Sequence, residues 1–118
     1  MRFVVLRHSG WGLTHYDILL EPQEAAPSLI SFHAGAWPIR TCQPLQRVQD
    51  HRREYLTLEG PISGGRGQVR RVAAGECLAH PGPQGEPEAF TLKDSAGAHA
   101  VRIERTSDGW MAIPISEV

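Results

Sequence analysis

The sequence predicts an all-β protein, a compact antiparallel β-barrel of short strands with little helix. Two observations lead there. Twelve glycines and nine prolines punctuate the chain, which favours short strands and turns over long helices. No stretch keeps a helical repeat of apolar residues for three turns, whereas several short stretches alternate or run apolar between turn signals. With 118 residues and 41% hydrophobic content, the chain has the size of one domain that buries its own core.

The elements follow in order. "FVVL" (3–6) is a buried strand. "HYDILLE" (15–21) alternates and forms a second, and "SLISFHA" (28–34) a third, with "PQEAAP" (22–27) as a loop. "GAWPIRTCQP" (35–44) is irregular, since Pro38 and Pro44 argue against a central strand. "LQRVQDH" (45–51) and "EYLTLEG" (54–60) are expected as strands, "PISGGRG" (61–67) as a glycine-rich turn and "QVRRVA" (68–73) as a strand. "HPGPQGEPE" (80–88) is a loop by composition. "AFTLKD" (89–94), "HAVRIER" (99–105) and "GWMAIPI" (109–115) close the domain through the turns "KDSAG" and "TSDG".

Composition narrows the function. No apolar run approaches the ~20 residues that span a bilayer, and the N-terminus lacks the pattern of a signal peptide, so a cytoplasmic protein acting as a monomer is expected. Cys42 and Cys77 form no CxxC pair, which argues against a thiolate zinc site and points to two free thiols. The net charge of −1 does not announce a nucleic-acid binder. Every basic residue but Lys93 is arginine, however, with clusters in "HRREY" (51–55) and "GGRGQVRR" (64–71). Arginine suits bidentate phosphate contact.

One constellation carries chemistry. On a strand, residues two apart share a face. Tyr16, Ile18 and Leu20 then face the core, while His15, Asp17, Leu19 and Glu21 share the other side. His8, at the end of the first strand, joins His15 and Asp17 if "SGWGLT" folds back, and Gly10 and Gly12 permit that reversal. Two imidazoles and a carboxylate suit a divalent ion such as manganese, zinc or iron, and three protein ligands leave positions open for water or substrate. A second polar cluster pairs His51 with Tyr55, which share a face if this region is strand. Together they can grip a phosphate oxygen or protonate a leaving group. His33, His80 and His99 have no acid near them in sequence and are expected as surface or packing residues. The "GGRG" turn lacks the Lys-Ser/Thr of a P-loop. Trp37 and Trp110 belong to the core, and Trp11, in a glycine loop, is expected near the site.

Taken in order, these pieces resemble the 3′-phosphoesterase domain found at the N-terminus of bacterial ligase D and as free-standing proteins. "RFVVLRHSGWGLTHYDILLE" is similar to that family's R-F-V-V-x-[KR]-H, loop and L-H-Y-D-F-R-L-E. "VQDHRREYLTLEG" (48–60) is similar to its V-E-D-H-P-x-x-Y-x-x-F-E-G, and "SLISFHAG" places Ser31 on the family serine and Phe32 on its tryptophan. The likeness covers residues 2 to 75 and continues beyond by strand pattern only. It implies a β-barrel that removes a 3′-phosphate or a 3′-terminal ribonucleoside from DNA or RNA ends in repair, with manganese as its ion and a ligase or polymerase as a repair partner. By the same resemblance His8, His15 and Asp17 hold the metal, His51 contacts the phosphate as transition-state donor, Tyr55 assists it and Ser31 is a supporting hydrogen-bond donor.

The chain departs from the family where Leu19 replaces an arginine that clamps the scissile phosphate. Loss of one such contact costs about 10²–10³ in rate. Arg52, Arg53 and Arg66 are the candidates to hold phosphate instead, Arg52 first. Gln49 replaces a glutamate, the loop between His8 and His15 is one residue longer, and the glycine-rich segment after Glu59 is shorter. A second reading follows: a non-catalytic module that binds a nucleic-acid end or a repair partner.

Overall fold

The computed structural model describes residues 1–97 and 99–115. Its strands are β1 (Arg2–Ser9), β2 (His15–Leu20), β3 (Ser28–Ala34), β4 (Gln43–Arg52), β5 (Gly60–Pro61), β6 (Gln68–Pro81), β7 (Pro87–Asp94), β8 (Ala100–Thr106) and β9 (Gly109–Ile115). One 3-10 helix, Arg53–Leu56, interrupts them. Every neighbouring pair is antiparallel, in the order β1-β2-β3-β4-β9-β8-β7-β6-β5, and β1 also pairs with β6. That extra pairing closes the sheet into a ring. Closure leaves fewer unpaired strand edges. Among the described residues no helix is long and apolar enough to cross a membrane.

Strand alternation sorts the side chains into two cores. The inner one gathers Phe3, Val5, Ile18, Leu20, Phe32, Phe90, Leu92, Val101 and Ile103, with Trp37 and Trp110 packed against it. A second cluster lies on the opposite face of β1–β3 and holds Val4, Leu6, Leu19, Leu29, Leu56 and Val69, joined by Tyr55, Leu58 and Ile62. Each fully buried aliphatic side chain contributes about 1.5–3 kcal/mol, so the second cluster is a real part of the fold.

The second cluster overturns two expectations. Residues 54–60 were expected as a strand, but their first half is the 3-10 turn, closed by the Thr57 N–H donating to Glu54 O at 3.1 Å. Strand geometry would send Tyr55 and Leu56 to opposite sides, whereas both pack on the second cluster. The face of β2 expected to be polar is also covered: Leu19 is 0% exposed and Glu21 is buried. Glu21 takes ion pairs from Arg53 at 2.6 Å and Arg2 at 3.6 Å. Elsewhere, β6 and β7 extend through the ends of the 80–88 loop, which keeps only its central turn. The expected strand 28–34 has the bounds of β3.

Candidate metal centre

The site is built from two cross-strand pairs. In the β1–β2 ladder His8 lies opposite His15, and in the β2–β3 ladder Asp17 lies opposite His33. Residues directly opposite share a face, so one patch collects three imidazoles and a carboxylate. The turn that makes this happen runs through Gly10 and Gly12, at φ of 83° and 68°. Side chains avoid that region of backbone space.

His8, His15 and Asp17 each offer a ligand atom, all within 4.8 Å of one another. The His8 and Asp17 side chains are 9% and 5% exposed. His8 Nδ1 stands 3.7 Å from Asp17 Oδ2 and His15 Nε2 3.1 Å from Asp17 Oδ1. The far nitrogens decide what these contacts are. His8 Nε2 lies 2.7 Å from Arg66 O and His15 Nδ1 3.1 Å from Leu13 O. A carbonyl only accepts, so both of those nitrogens carry the proton. In the neutral rings His8 Nδ1 and His15 Nε2 therefore turn lone pairs toward the carboxylate. In keeping with this, His15 Nε2 and Asp17 Oδ1 are buried and lack a hydrogen-bond partner despite their 3.1 Å approach.

Lone pairs facing a buried carboxylate repel unless a cation sits among them. A proton on one nitrogen relieves one pair; a divalent ion relieves all. The donor set of imidazole and carboxylate is that of a borderline transition metal. Backbone carbonyls that orient the ligating imidazoles are the usual outer support of such sites. The residues thus fit a metal ion.

His8 keeps its orientation because the 61–67 turn comes very close. A Cβ added at Gly67 would lie 2.1 Å from Ser9 O. Glycine alone lets the backbone approach so that the Arg66 carbonyl reaches His8.

His33 is the residue sequence reasoning missed. No acid lies near it in sequence, yet its Nε2 lies 3.0 Å from Asp17 Oδ1, and its ring centroid is 4.2 Å from that of His15. Partial burial holds its imidazole below the ordinary value against the pull of Asp17, helped by His15, His51 and His8. The available signal was that His33 shares a face with Ser31, two residues earlier. His80 and His99 do pack as expected: His80 Nε2 pairs with Thr91 Oγ1 at 2.7 Å, and His99 Nε2 accepts the Ile39 N–H at 3.2 Å.

His51 Nδ1 is 2.7 Å from Ser31 Oγ, and that hydroxyl donates to Leu29 O at 3.1 Å. With its proton committed, Ser31 accepts from His51 Nδ1–H, which leaves His51 Nε2 for a ligand. Tyr55 packs edge-on to His51, with ring centroids 5.0 Å apart. The two do not share a strand as expected; the 3-10 turn brings them together. A pocket of about 160 Å³ is lined by His8, His15, Asp17, His33, His51 and Tyr55, with Trp11, Ile62 and Arg66 at its walls.

Ser31, 0% exposed, braces His51 and does not line this pocket. Arg52 does not line it either: its side chain is 76% exposed and pairs with Glu54 at 2.9 Å. Arg53 is committed to Glu21. Of the three candidate arginines, Arg66 alone stands at the pocket. Gln49 is exposed and away from it. Trp11, 55% exposed, stacks toward His8 with ring centroids 6.1 Å apart. Beside the pocket runs a groove of about 760 Å³ lined by Trp11, Leu13, Pro44 and Leu45, which shares His15 and His33 with it. Cys42 and Cys77 are free thiols, and burial pushes Cys77 up to about 12.

No protein-family model matches the chain, and no curated protein matches it.

Proposed function

We propose that the chain is a divalent-metal-dependent phosphoesterase that processes the 3′ ends of DNA or RNA, removing a 3′-phosphate or a terminal ribonucleotide. The observation that carries this reading is the buried carboxylate faced by imidazole nitrogens whose protons are committed elsewhere. His8, His15 and Asp17 would hold the ion, with manganese the one the family resemblance implies. When bound, a divalent ion supplies Lewis-acid polarisation of a phosphoryl oxygen and a bound water of lowered pKa.

The remaining residues divide the other tasks. His51, braced through Nδ1 by Ser31, presents Nε2 to the phosphate and, when protonated, donates to an oxygen that gains charge. Tyr55 restrains the His51 ring. Arg66 lines the pocket and donates its Nε–H to Ser63 O at 2.9 Å, so its terminal guanidinium nitrogens are the ones that would take the phosphate-holding role left open by Leu19. The neighbouring groove, with the open face of Trp11, is a stacking surface for a terminal base.

The test is a primer-template with a 3′-phosphate, incubated with the protein and Mn²⁺. Phosphate release that stops on chelation and is absent in a folded His15→Ala variant is the expected result. No release above an inactive control at any metal concentration sinks the reading.

Leu19 favours a second reading, a non-catalytic module for a nucleic-acid end or a repair partner. It is sealed in the second cluster, so β2 sends His15 and Asp17 to the pocket and no arginine. That reading expects end binding without product, weakening as salt rises.

A further inference from the structure

We propose that His33 is a fourth protein ligand of the centre, so that three imidazoles and one carboxylate hold the ion. This rests on the reading that the cluster binds a divalent cation.

Position comes first. The β2–β3 register sets His33 directly across from Asp17, just as the β1–β2 register sets His8 across from His15. The fourth side chain is thus placed by the same ladder geometry as the other three. Contact follows. His33 Nε2 and His15 Nε2 approach the same oxygen, Asp17 Oδ1, at 3.0 Å and 3.1 Å. Asp17 Oδ1 nevertheless has no hydrogen-bond partner among the described residues, so neither contact is aligned as a hydrogen bond. Two donors each about 2.1 Å from an ion lie about 3.4 Å apart at a tetrahedral angle and about 3.0 Å apart at an octahedral one. The contacts have the spacing of ligands that share an ion.

A contrast within the molecule sharpens this. His80 and His99, the other histidines outside the predicted site, each have a hydrogen-bond partner for Nε2 in Thr91 and Ile39. Among the described residues, the close polar contact of His33 Nε2 is with the orphaned carboxylate oxygen at 3.0 Å.

The chemical consequence is metal preference. A third imidazole makes the donor set richer in nitrogen, which shifts preference away from manganese toward cobalt, nickel and zinc. His15 and His33 line both the pocket and the apolar groove, so a ligand in the groove would lie beside the two residues that would hold the ion.

The experiment is titration of the metal-free protein with Co²⁺, followed by visible absorption, with Mn²⁺ and Zn²⁺ in competition. The expected result is one ion per chain, with His33→Ala and His33→Gln each weakening Co²⁺ by at least about tenfold, altering its absorption bands and narrowing the margin over Mn²⁺. The unmodified protein provides an independent readout: the ¹⁵N shift of His33 Nε2 should move on adding Zn²⁺. That measurement decides the matter even if neither variant folds. Unchanged affinity, bands and His33 shift, with binding still lost in His15→Ala, would overturn the His33 assignment and leave the centre standing. If the unmodified chain binds neither Co²⁺ nor Zn²⁺, the centre itself falls, and His33 with it.

Discussion

The two faces of β1, β2 and β3 are made by the same strands and end differently. The inner face is apolar along its length, from Phe3 and Val5 through Ile18 and Leu20 to Phe32. The outer face begins apolar, with Val4, Leu6, Leu19 and Leu29, and ends in His8, His15, Asp17 and His33. What differs is the cover. A closed ring seals the inner face, while among the described residues the outer one is roofed by Leu56, Leu58, Tyr55 and Ile62. Where that roof stops, a pocket opens whose walls include Tyr55 and Ile62. A polar site set at the rim of a packed cluster has side chains that are buried enough to be held rigid and open enough to receive a ligand.

The contrast can be broken most severely at its polar end. Asp17→Asn should abolish metal binding, so that the rise in Tm on adding Zn²⁺ or Mn²⁺ disappears. The metal-free variant should be at least as stable as its parent, because the facing lone pairs lose their charged partner. A large loss of metal-free stability in thermal unfolding would contradict that account. At the apolar end, Leu19→Ala should cost about 2–5 kcal/mol in denaturant unfolding. Leu19→Arg should be worse and should not restore phosphate contact, since the position is sealed from the pocket. A folded Leu19→Arg protein with higher turnover would refute the sealed roof.

Smaller effects sharpen the picture. Ser31→Ala leaves the His51 Nδ1–H without its acceptor and should cost about 1–3 kcal/mol while lowering the proposed phosphate release; unchanged stability and release would mean Ser31 does not brace His51. Glu21 should set the smallest and most pH-sensitive effect. Burial raises its pKa, but the Arg2 N–H, the Arg53 hydrogen bond and both guanidinium charges outweigh this and hold it below its ordinary 4.5. A depressed carboxylate stabilises the fold fully above its unfolded value and loses that contribution as pH falls through the folded one. Glu21→Gln should therefore be less stable than the parent near neutrality, by about 1 kcal/mol after allowing for the exposed arginines, with the gap closing below pH 4.5. A gap that persists or widens in acid would reverse the sign.

Much of this arrangement was legible along the chain and less of it across strands. The HxD alternation places His15 and Asp17 side by side, and the glycines of the preceding turn return His8 to them, because both facts are local. The sequence bounds of strand β3, 28–34, are those of the structure. His33 escaped because its acid partner lies sixteen positions away and becomes a neighbour only through the β2–β3 register, which no single strand encodes. Leu19 was assigned to the correct face but the wrong environment: alternation says which way a side chain points, not what later folds over it. The 54–60 segment misled for a related reason. Its residues alternate well enough for a strand, and tertiary packing of Tyr55 and Leu56 onto the same cluster turned it into a 3-10 helix.

Gly67 shows how far a residue with no side chain can govern one that has chemistry. It acts as a shim whose thickness decides which nitrogen of His8 looks at the carboxylate. A single methyl group there would prise the Arg66 carbonyl off the ring, let the imidazole choose its own tautomer, and detune the centre from a position that touches no ligand at all.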